Sequence, residues 1–144
     1  MDTVDLALRL AVATLVGAAL GVNRDLHGKA IGVKTLGLVG LGSALAVVAV
    51  AGTDPNPVSR VVQGLVTGIG FLGAGAIIRT QEGQRVHGLT TAACVWLAAC
   101  LGAACGGGHW SAVLISVPLI FLVLVCGEPV ERAFHRYWGE PRDQ

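Results

Sequence analysis

Apolar positions in this chain form five continuous runs, residues 4–22, 31–51, 61–78, 89–105 and 110–126, separated by short polar segments. A helix needs about 20 apolar residues to cross a hydrocarbon core of about 30 Å, so each run predicts one transmembrane helix. A membrane β-barrel would need strands of about 10 residues that alternate polar and apolar, and these runs do not alternate. The fold class expected is all-α: an integral membrane bundle of five transmembrane helices over residues 1–127, followed by a short cytoplasmic tail over residues 128–144. The first run does not read as a cleaved signal peptide. Asp2 and Asp5 stand where a basic leader would begin, and Arg9 already lies inside the run.

Composition agrees with the pattern. The chain is 53% hydrophobic and 13% charged, against about 25% charged residues in a soluble domain. The lipid bilayer is therefore its expected solvent. A net charge of +1 provides no basic field for nucleic acid. The basic residues nevertheless report orientation. Five spans put the termini on opposite sides. Arg24, Lys29, Lys34, Arg79, Arg85, Arg132, Arg136 and Arg142 fall on one side, and only Arg9 and Arg60 on the other. The excess of Lys and Arg on cytoplasmic loops predicts the N-terminus outside and the C-terminus inside. In the tail, Glu128-Pro129 reads as a helix start. Val130, Phe134, Tyr137 and Trp138 share one side and Arg132 and Arg136 another. The tail is either a short interfacial helix or a frayed end.

Helices in lipid associate through close approach at small residues. Small-xxx-small pairs occur at Gly17/Gly21, Gly64/Gly68 and Gly102/Gly106. In the third span, Gly64, Gly68 and Gly75 share one face and Gly70 and Gly73 fall on the other side. Glycine on both sides predicts that this helix is central. The packing motifs also predict a homo-oligomer, a dimer in the simplest case. Arg60, Gln63, Thr67 and Gly70 form a polar stripe on the third span. Such a stripe serves either as hydrogen-bonding glue between helices or as a polar path or partner site.

Other chemistry is thin. Gly68-Ile69-Gly70-Phe71-Leu72-Gly73 spells G-x-G-x-x-G, but a dinucleotide fingerprint follows a strand in a βαβ unit, and this one lies inside an apolar helix. Cys94, Cys100, Cys105 and Cys126 make no C-x-x-C and read as small packing residues. His27, His87, His109 and His135 have no ligand spacing, and Ser43, Ser59, Ser111 and Ser116 have no neighbouring His or Asp that would make a triad. No enzyme activity and no cofactor are expected. Asp54, in Asp54-Pro55-Asn56-Pro57, reads as a turn residue pairing with Arg60, or as a weak magnesium ligand. Arg24, Asp25, Lys34, Arg79 and Arg85 form a cluster on the cytoplasmic side. It is either ordinary positive-inside charge or a site for anionic lipid or a partner.

Three segments together resemble the MgtC/SapB family of bacterial inner-membrane proteins. RVVQGLVTGIGFLGAGAIIR, residues 60–79, resembles the family's central signature. VHGLTTAA, residues 86–93, resembles the segment after it, including Thr90 and Thr91. GVNRDLHGKAIGVKTLGLVGLGSAL, residues 21–45, resembles the first loop and second span. The resemblance implies a multi-pass protein of the cytoplasmic (inner) membrane linked to magnesium limitation, stress adaptation and survival in host cells. It implies a non-enzymatic regulator that contacts another membrane complex, such as the ATP synthase. An oligomeric magnesium transporter is the alternative. Against the family pattern, Asn23 replaces an acid before Arg24, Lys34 replaces Arg, Leu36 replaces His, and His87 replaces Arg. A Lys does not reproduce the bidentate contacts of an Arg, so a family site at these positions would be altered. Longer members carry a C-terminal soluble domain, and this sequence reads as a short form without it.

Overall fold

The computed structural model describes residues 1–52, 55–79 and 86–138. The helices are α1 (Thr3–Leu26), α2 (Val33–Ala49), α3 (Pro55–Gly75), α4 (Leu89–Gly106) and α5 (Trp110–Trp138). Four of them, α1, α3, α4 and the Trp110–Gly127 part of α5, are long and apolar enough to cross a membrane. The 17 residues of α2 reach about 26 Å at 1.5 Å per residue, at the short limit for a span. Between α3 and α4 lie two short strands, β1 (Ile78–Arg79) and β2 (Val86–His87). They pair antiparallel, Ile78 opposite His87 and Arg79 opposite Val86. Gly88 follows at φ 98°, a left-handed conformation that favours glycine. A Cβ there would also strike the Ala76 carbonyl oxygen.

The chain divides into two compact units, Met1–Val113 and Leu114–Gln144. In the second, α5 runs unbroken through Gly127 and carries both Pro118 and Pro129 within it. The separate tail helix expected to begin at Glu128-Pro129 is thus not formed. Proline favours a first helical turn because it lacks an N–H, but here the helix is already running and continues past it.

In the first unit the middle helix is α2. Its Gly40 lies against Ala13 of α1, where a Cβ would come 2.5 Å from the Ala13 carbonyl oxygen. Gly17 meets the Leu36 carbonyl, and Gly21 meets Val33. Sequence numbers fall on α2 as they rise on α1, so the two helices are antiparallel. On the other side, Gly102 of α4 meets the Gly40 backbone and Gly106 meets Ala44, so α2 and α4 run parallel. Leu20, Leu36, Ala44, Cys94, Val95, Ala98 and Cys105 fill the space between these helices.

The expectation that α3 is central does not hold within the chain. It packs on α4 and more sparsely on α2, and among the described residues Gly73 alone of its glycines meets a neighbour, Ala92. A Cβ at Gly64, Gly68, Gly70 or Gly75 would meet nothing within 4 Å. Glycine permits close approach but does not ensure that a helix is there to approach.

At the end of the unit where α1 begins, Arg9 ties α1 to α4. Its Nη1 donates to the Gly106 carbonyl oxygen at 2.9 Å, and its Nη2 pairs with Asp5 at 3.0 Å. Gly106 is the last residue of α4, so the guanidinium also meets the negative end of that helix's dipole.

Candidate functional site

Besides Arg9 and Asp5, two polar groupings stand out among the described residues of the first unit, and they differ in kind. The first lies where α1 ends and α2 and α4 begin. Arg24 is 2% exposed, and Asn23 and Thr91 are buried with it. The Arg24 Nε and Nη2 both donate to Asn23 Oδ1, at 3.2 and 2.6 Å. The Asn23 carbonyl oxygen lies 2.6 Å from His27 Nδ1. Among the described residues, Arg24 thus has a neutral acceptor and no carboxylate. Arg24 is a core residue of the helix junction, where the sequence suggested one member of a charge cluster on the cytoplasmic side. The last turn of α1 rotates it inward, against the face that carries Leu20.

Asp25 also has a structural task. Its Oδ2 accepts from the Val33 N–H at 3.0 Å. The N-cap residue of α2 is Gly32, which has no side chain to cap with, so a carboxylate from α1 satisfies an orphan donor of α2. The same carboxylate occupies the space a Cβ on residue 32 would need. Lys34 is exposed on the first turn of α2. Arg79 pairs through its backbone with Val86, and Arg85 lies outside the described residues. The five expected cluster members therefore do not make one described surface.

The second grouping is on α3. Arg60, Gln63 and Thr67 are all exposed, with Gly64, Gly68, Gly70 and Gly75 beside them and Phe71 86% exposed. At 100° per residue Arg60, Thr67, Gly64, Gly68 and Gly75 point away from the α4-facing side that carries Gly73, and Gly70 lies at the border between the two. Gln63 and Thr67 make no hydrogen bond among the described residues. Asp54, the candidate partner of Arg60 and candidate magnesium ligand, lies outside the described residues. Among the described residues no three His, Cys, Asp or Glu side chains gather as a metal site. Thr90 is exposed and Thr91 buried at the start of α4.

Residues 10–133 match the MgtC family model. The chain belongs to the MgtC family. It is 42% identical to protein SrpB of Synechococcus elongatus over 85% of this chain and 75% of that protein. It is 39% identical to protein MgtC of Salmonella typhimurium over 78% of this chain and 48% of that protein. It is also 34% identical to YhiD of Escherichia coli K12, named as a candidate magnesium transporter, over 85% of this chain and 60% of that protein. The matched part is thus about half of the Salmonella protein's length. No solved structure matches. Residues 60–79, the segment that resembles the family's central signature, cover most of α3 and all of β1 and include the exposed polar and glycine face. The family's second segment forms β2, the Gly88 turn and the first turn of α4. Two features escaped the sequence reading. Asn23 is the acceptor of Arg24, although it first appeared only as a departure from the family pattern. Arg9 spans 97 positions to reach Gly106, and nothing local in the sequence signals that contact.

Proposed function

We propose that this chain is a non-enzymatic regulator in the bacterial inner membrane, serving adaptation to magnesium limitation and related stress, including survival in host cells. It acts by contact with another membrane complex, and the ATP synthase is the candidate. The observation that carries the reading is the exposed face of α3. Gly17, Gly21, Gly102 and Gly106 are all engaged by backbone of a neighbouring helix, whereas Gly64 and Gly68 have open space before them. Gln63 and Thr67 lie beside that space. Polar groups facing hydrocarbon are costly, so a protein partner there gains both close packing and hydrogen bonds. The proposal includes a homo-oligomer, a dimer in the simplest case, on the glycine row, with the regulated complex on the adjoining row of Arg60, Gln63 and Thr67. It places the N-terminus outside and the C-terminus in the cytoplasm, on the eight-to-two distribution of basic residues.

Magnesium transport is the second reading, favoured by the name of the relative YhiD. Arg60 at the head of the stripe opposes it, because a fixed positive charge repels a cation path.

Photo-crosslinking tests the proposal. A photoreactive residue in place of Thr67, in cell membranes at native expression, is expected to give an adduct with a subunit of a different complex. That adduct should disappear in a Gly64→Leu background. Adducts with lipid alone, or with this chain alone, would contradict the regulator.

A further inference from the structure

The first unit contains one further feature that the regulator reading leaves unused. A cavity of about 300 Å³ lies between α3, α4 and the end of α2. Val58, Val62 and Leu65 of α3 form one wall, Ala99 and Ala103 of α4 the other, and Val47 of α2 contributes to the lining. The cavity exists because α4 presents small side chains here, while its glycines, Gly102 and Gly106, face α2. The helices α3 and α4 are antiparallel, since Gly73 meets Ala92 while Val58 and Val62 share the cavity with Ala103 and Gly107.

Its geometry is that of a slot along the bundle. On α4 the lining runs from Ala99 to Gly107, and on α3 from Val58 to Val66. Each spans eight rises, about 12 Å at 1.5 Å per residue, so both walls give the same depth. The deep end, at Leu65, Val66 and Cys100, is apolar. The other end carries His109, an exposed side chain just beyond the end of α4. Arg9 and Asp5 are at this same end of the unit, as expected near a membrane–water boundary. The slot is partly open to its surroundings.

Water has no hydrogen-bond partners within such walls, and an empty slot forfeits the dispersion contacts of its lining. A volume of about 300 Å³ lies at the small end of ligand sites, which are mostly apolar with few polar groups. The surrounding solvent consists of chains that are apolar along their length and polar at one end. We propose that the slot holds one acyl chain of a bilayer phospholipid, with the chain between α3 and α4 and the glycerol–phosphate end at His109. The bound chain completes the α3–α4 contact, which by protein atoms alone is loose at this end.

The test uses the full chain in vesicles of phosphatidylethanolamine and phosphatidylglycerol. These contain a small fraction of phospholipid with a diazirine in the middle of one acyl chain. After irradiation, adducts are expected to concentrate on the slot walls, around Leu65–Val66 and Ala99–Ala103. Ala103→Leu, which fills the slot from α4, should abolish that concentration and leave adducts on the exposed face of α1 unchanged. Val62→Phe fills it from α3 and is the second variant, should the first not fold. A free fatty acid bearing the same diazirine, added to vesicles without the labelled phospholipid, distinguishes the two sources of an acyl chain. Labelling of the slot by the fatty acid alone overturns the phospholipid assignment. Adducts spread evenly over the lipid-facing surface, or a concentration unchanged in a folded, filled variant, overturn the site. A slot without adducts does so as well, since a second copy or a peptide then occupies it.

Discussion

Gly102→Leu is expected to leave no folded bundle in detergent, whereas Gly64→Leu, the same substitution in another apolar helix, is expected to fold like the parent. The reason is the backbone contact between α4 and α2. A Cβ on residue 102 falls on the Gly40 carbonyl oxygen and lies 2.9 Å from the Gly40 Cα. The obstacle is main chain, so no rotamer change relieves it and the two helices must separate. Overpacking of a core commonly costs about 1–3 kcal/mol, and a whole Leu set against backbone belongs at or beyond the upper end of that range. Separation would also release Gly106 from Ala44 and, through Gly40, disturb the contact with Ala13. At Gly64 nothing of the same chain lies within 4 Å, so the added side chain leaves the protomer's fold intact and disturbs only the oligomer proposed on that row. Size-exclusion profiles and melting curves of the two variants check the contrast. Equal stability would mean that α2 is not the middle of the unit.

The second large effect is expected at Asn23. Asn23→Ala removes the acceptor of both the Arg24 Nε and Nη2 bonds and leaves a guanidinium that is 2% exposed. Hydrogen bonds to a charged group are worth about 1.5–3 kcal/mol, and stranding a buried charge costs about 3–5 kcal/mol. A loss of about 3 kcal/mol is expected, read as a lower unfolding midpoint in detergent. Asn23→Asp keeps the shape and supplies the missing negative charge, so it should raise the midpoint above that of the parent. If Asn23→Ala melts with the parent, Arg24 is not held as described.

The five helices were legible because an apolar run of about 20 residues has few other uses, and their observed bounds differ from the runs mainly at the ends. Gly17/Gly21 and Gly102/Gly106 were legible as contact motifs for the same physical reason. Their common partner was not. Gly37 and Gly40 on α2 are three apart, and the small-xxx-small pair at the contact, Gly40/Ala44, has alanine at one position and stands out less than the glycine pairs. What makes α2 the middle helix is that two other helices converge on it, a property of tertiary arrangement. The five glycines of α3 pointed the other way, because a glycine signals permission for contact, and among the described residues only Gly73 uses it. The charge of Arg24 suggested a surface position. Its burial depends on how far α1 extends before the turn to α2 and on a neighbouring Asn, a neutral residue that draws little notice. Asp25 looked like part of a charge cluster, but it caps a helix eight residues later, and only the chain reversal at Gly28 brings the two together.

The central claim is that the polar face of α3 meets a partner and does not conduct an ion. Magnesium flux into liposomes holding the purified full chain tests it most directly, with an established magnesium channel as the working control. The account predicts no flux above that of protein-free vesicles. Flux comparable to the control, and lost in a folded Gln63→Leu variant, would make the stripe a conduction path and contradict the regulator.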